Sequence, residues 1–90
     1  MSSEHDNDDV ERTPIGIVFG KYLDRRGLRW TPQRRRILEI VNGLPVRFDA
    51  RDAIECANTG RATVYRTLWE LSKAGLLEQS GDQFMKRGLG

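Results

Sequence analysis

Between Arg61 and Leu77 the chain reads RATVYRTLWELSKAGLL. Val64, Leu68 and Leu71 recur at i, i+4 and i+7, the spacing of one apolar helix face. At about 100° per residue these three cluster within about 60°, and Ala62, Tyr65, Arg66, Trp69 and Glu70 lie on the other side. The spacing predicts a helix over 61–74 that opens after the tight turn Asn58-Thr59-Gly60 and stops at Gly75. Leu76 to Gln79 then reads as a strand, Ser80-Gly81-Asp82 as a turn, and Gln83 to Lys86 as a returning strand.

Upstream of this helix, Asp49 caps a short third helix, and Asp52 three residues later eases the exposed amides of its first turn. Ala50, Ile54 and Ala57 make its apolar stripe, with Cys56 beside it. Thr31-Pro32 pairs a threonine N-cap with proline at the first helical position. The second helix it opens runs to Asn42, turns Ile37, Leu38 and Val41 inward, and ends at Gly43 and Pro45. A first helix over 15–26 follows Thr13-Pro14 and stops at Gly27, with Ile15, Val18, Phe19, Tyr22 and Leu23 on one side. Four helices followed by a hairpin, the third and fourth joined by a short turn, describe a winged helix-turn-helix. The expected fold is therefore mainly α with a small β-hairpin. It occupies 13–90 as one DNA-binding domain, behind a disordered acidic tail over 1–12.

Ninety residues suffice for one small core. No apolar run approaches the length of a membrane span, and the acidic N-terminus lacks the basic-then-greasy order of a secretory signal. The expected location is cytoplasmic. One cysteine, Cys56, and one histidine, His5, cannot supply an internal disulfide or a thiolate or imidazole metal centre. No nucleophile–base pair and no glycine-rich phosphate loop is present, so an enzyme is not expected.

The net charge of +2 conceals a division. Residues 1–12 hold five acids against one base, whereas 13–90 hold fourteen bases against eight acids. Twelve of the fifteen bases are arginine, whose planar donor fork suits phosphates and guanine edges. In a recognition helix the N-terminal residues reach base edges, which nominates Arg61, Ala62, Thr63, Tyr65 and Arg66. Arginine can fork onto guanine, and Tyr65 and the Thr63 methyl suit thymine methyls or phosphates. Trp69 is expected to lean onto the wing and complete a thin core, and Trp30 to plug the core beneath its loop. In the second helix Arg34 falls near the apolar side, where it buries its stem and pairs. Arg35 and Arg36 point outward, toward a phosphate or simply toward water. The basic loop Arg25-Arg26-Gly27-Leu28-Arg29-Trp30 suits a narrow minor groove.

The stretches GLRWTPQRRRILEIV (27–41), FDARDAI (48–54) and RATVYRTLWELSKAGLL (61–77) together resemble the DNA-binding domain of the ferric uptake regulator family. The resemblance covers roughly 21–82 and implies a winged helix, repression or other regulation of transcription, and a dimer. It also implies that Tyr65 and Arg66 occupy positions contacting DNA and that Arg29 occupies the basic position approaching the minor groove. Family members bind iron or zinc and continue after the wing into a second, dimerising domain that carries most metal ligands. Here Arg47 stands in the region where the family often has a metal-binding histidine, and the chain ends at Gly90. The expectation is a relative without its own metal-sensing and dimerisation domain and with no cofactor.

The expected function is therefore double-stranded DNA binding by the fourth helix in the major groove, with Arg29, Arg35, Arg36, Arg61, Thr63, Tyr65 and Arg66 as contacts. A second copy or a full-length relative is a further expected partner. The competing reading is a winged-helix protein-interaction module that modulates a full-length regulator, with Tyr65 and Trp69 as its anchors.

Overall fold

A computed structural model describes residues 10–87. Helix α1 spans Pro14–Arg26, α2 Pro32–Gly43, α3 Ala50–Ala57 and α4 Arg61–Lys73. Strand β1 spans Arg47–Asp49, β2 Leu77–Ser80 and β3 Gln83–Lys86. The winged helix-turn-helix expected from the order of elements is the observed architecture.

The helix boundaries follow local chemistry. Thr13 and Thr31 accept hydrogen bonds from the amides of Gly16 and Arg34, each at 3.1 Å, and proline follows each threonine. Asp52 accepts the Asp49 amide at 3.0 Å across the first turn of α3. At the far ends of α1 and α4, Gly27 (φ 70°) and Gly75 (φ 85°) take the left-handed conformation that glycine adopts without strain. The next amides, Leu28 and Leu76, return to the carbonyls of Leu23 and Leu71 at 2.8 and 2.9 Å, closing both helices in the Schellman manner.

The sheet contains one strand more than the expected hairpin. Its order is β1-β3-β2, antiparallel throughout, with Phe48 opposite Phe84. The two rings stack at 5.8 Å, and both are buried. Three residues are too few to show a period of two in sequence, so the cross-strand aromatic pair is what recruits β1.

Phe19, Leu23, Ile37, Leu38, Val41, Val64, Leu68 and Leu71 fill the centre of the fold. In α3 the buried stripe is Ala50, Ala53 and Ala57; Ile54, expected on it, is only half-buried. Trp30 sets its ring edge-on against Phe19 at 5.6 Å, as expected of a plug. No helix among the described residues is long and apolar enough to cross a membrane.

The tail reading requires a correction at its boundary. Residues 10–12 are helical, and Val10 is buried in the core. A Cβ on Gly16 would collide with the Val10 carbonyl, so only glycine lets this turn lie against α1. The rest of the expected tail, 1–9, lies outside the described residues.

Candidate nucleic-acid interface

Burial of Val64, Leu68 and Leu71 fixes the rotation of α4. Its opposite face is then delivered to solvent: Arg61, Ala62, Arg66, Trp69 and Lys73 are exposed, and Thr63 and Tyr65 are half-buried. The first turn contains no acid to oppose an approaching anion. Tyr65 leans toward the wing, where its hydroxyl donates to the Asp82 carboxylate at 3.3 Å. A cleft of about 220 Å³ separates the opening of α2, at Thr31, Gln33 and Arg34, from Thr63 and Arg66. A wider groove of about 460 Å³ runs between α4 and the wing, past Arg51, Arg61, Tyr65 and Asp82.

Glu70, read as outward from its angular position, is 5% exposed. Arg34 of α2 covers it, laying Nε and Nη2 on the two carboxylate oxygens, each at 2.9 Å. This doubly hydrogen-bonded carboxylate holds the Arg34 guanidinium above its ordinary range, against the opposing effect of burial. The third nitrogen, Nη1, donates to the Arg29 carbonyl at 3.0 Å. One side chain thus ties the opening of α2 to α4 and to the basic loop, and leaves the exposed Arg29 side chain outside that tie.

Two sequence-nominated arginines do not stand free. Arg35 forms an ion pair with Glu11, from the turn before α1. Arg36 donates to the carbonyls of Ala57 and Cys56 at 3.1 and 3.5 Å, capping the C-terminal end of α3. Both thus hold partners distant in sequence that their angular positions did not foretell, Arg35 half-buried and Arg36 still exposed. Lys86 plays a similar part for α2, donating to the Leu44 carbonyl at 2.6 Å, and burial pushes its pKa down.

Two residues emerge that sequence reasoning placed otherwise or passed over. Trp69, expected to complete the core, is 46% exposed, with the Lys73 ammonium 5.3 Å from its ring centroid. Its angular position had signalled this, since it lies on the Arg66 side of α4. Asp82 read only as a turn residue, and nothing local marks it as the partner of Tyr65.

The described residues do not fit the sensory metal that the family resemblance implies. Among them, no three of His, Cys, Asp or Glu gather into a ligand set. Cys56 is alone and exposed, and Asp52 is engaged at the α3 cap. The model of the ferric uptake regulator family matches residues 25–84, whereas no curated protein and no solved structure matches the chain.

Proposed function

Since the chain belongs to the ferric uptake regulator family, whose members are DNA-binding regulators of transcription rather than enzymes, we propose that α4 enters the major groove of double-stranded DNA. The carrying observation is the division of α4 into a buried stripe and a solvent-facing strip led by Arg61, Ala62, Tyr65 and Arg66. Arg66 forks onto a guanine edge; Tyr65 and Thr63 meet thymine methyls or phosphates; Arg61 meets the backbone. Arg29 enters the flanking minor groove from a loop whose carbonyl Arg34 holds. Arg35 reaches a phosphate only after leaving Glu11, and Arg36 remains on the α3 carbonyls.

A single winged-helix module buries only about 600–1,000 Å² of protein surface on DNA, so one copy alone binds weakly. A second copy on an adjacent half-site, or a full-length relative, supplies the remainder. The proposed location is the cytoplasm, that of the family's regulators.

Selection from a random-sequence duplex pool at two salt concentrations tests the reading. Enrichment of a common motif, with affinity falling steeply as salt rises, is the expected result. Recovery of no motif and no salt-dependent binding would reject it. The exposed indole of Trp69 favours one second reading, a protein-interaction surface, whose affinity would change little with salt.

A further inference from the structure

The outward strip of α4 does not end with the residues that read bases. Trp69 lies one turn beyond Tyr65 and Arg66, at i+4 and i+3, and Lys73 lies one turn beyond Trp69. Both are exposed, and the lysine ammonium sits against the indole face. From Ala62 to Lys73 this strip extends about 17 Å at about 1.5 Å per residue, whereas the major groove is about 12 Å wide. A helix whose first two turns lie at base edges therefore carries its third and fourth turns out to the groove rim, over the sugar–phosphate strand.

We propose that Trp69 and Lys73 form a backbone clamp for the same duplex, a contact that extends the DNA reading above and rests on it. The chemistry matches that position. The indole offers one N–H donor and no acceptor, which suits a phosphate oxygen, while its apolar face covers deoxyribose. Lys73 supplies the cation, and its stacking on the ring fixes the direction in which that charge is presented. No carboxylate faces this end of the strip from α4 itself, because Glu70 is turned inward onto Arg34. The clamp contributes affinity without reading sequence, since both groups meet backbone rather than base edges.

The test titrates the full chain and its variants Trp69→Phe, Trp69→Ala and Lys73→Ala against a labelled random-sequence duplex. Label anisotropy reports binding, and the emission difference between wild type and Trp69→Phe isolates Trp69 from Trp30. Both substituted side chains are exposed, and circular dichroism verifies that the variants keep their helices. The expected results are a change in Trp69 emission that saturates with the anisotropy, and a salt slope flattened by about 0.9 in Lys73→Ala. Trp69→Ala is expected to weaken binding by about twofold to fivefold through loss of the stacked cation. Saturating anisotropy with unchanged Trp69 emission and an unchanged slope in Lys73→Ala would overturn the clamp and leave the DNA reading standing. Absence of an anisotropy change at any salt would overturn both, leaving Trp69 as the anchor of a protein interface.

Discussion

Arg34 and Glu70, thirty-six positions apart, meet through two parallel hydrogen bonds of 2.9 Å beneath the surface between α2 and α4. Burying a carboxylate is tolerated because the guanidinium matches its geometry and compensates for lost water. Removing one partner leaves a charge without its counter-charge. Glu70→Ala is expected to destabilise the fold by about 2–3 kcal/mol, below the ~3–5 of a fully enclosed pair because Arg34 keeps a solvent edge. Arg34→Lys is expected to recover little, since an ammonium cannot bridge both oxygens while holding the Arg29 carbonyl. Urea denaturation followed by circular dichroism measures both.

Gly16 controls the docking of the N-terminal turn. A methyl group there collides with the Val10 carbonyl, and the cost is expected to be about 1–3 kcal/mol, as for overpacking elsewhere in a core. Gly16→Ala is therefore expected to expose the bond after Arg12 to limited trypsin digestion well before global unfolding. Identical digestion of wild type and variant would show that the turn is not held by this contact.

The Glu11–Arg35 pair sets a competition between a carboxylate and a DNA phosphate for one guanidinium. Glu11→Gln is expected to tighten binding to random duplexes at low salt, with the gain fading as ionic strength shortens the screening length toward about 8 Å. Deleting residues 1–12 outright is a poorer experiment, because it also removes the buried Val10. Equal affinities of wild type and Glu11→Gln at low salt would show that Arg35 meets no phosphate.

Arg66 and Arg35 separate base reading from backbone contact. Arg66→Ala is expected to cost about 1–3 kcal/mol on the selected sequence and little on random DNA. Arg35→Ala is expected to weaken both alike and to flatten the salt slope by about one contact. Titrations of each variant against both duplexes across a salt series check this. An Arg66→Ala protein that is folded yet unchanged on both duplexes would remove α4 as the reading head.

The ligand inventory gives a fifth expectation, one that does not involve DNA. With His5 and Cys56 the only imidazole and thiol, the ninety-residue chain is expected to carry no stoichiometric iron, zinc or manganese after gel filtration. Elemental analysis measures it, and one tightly held equivalent per chain would refute it.

What the sequence alone determined is local. The Thr-Pro openings of α1 and α2, the glycine stops at Gly27 and Gly75, and the spacing of Val64, Leu68 and Leu71 each act within about two helical turns. They made the winged helix legible and faced Arg66 away from the core. Tertiary packing decided the partners. Glu70, Arg35 and Arg36 had angular positions compatible with solvent, yet each is met by a group from another element. Which group arrives depends on how the helices cross, and no local period encodes that. The third strand has the same cause: Arg47–Asp49 is too short to announce itself and exists because Phe84 arrives opposite Phe48. Tyr65 joins the wing for the same reason, since the turn that carries Asp82 returns beside α4 only after the sheet has formed.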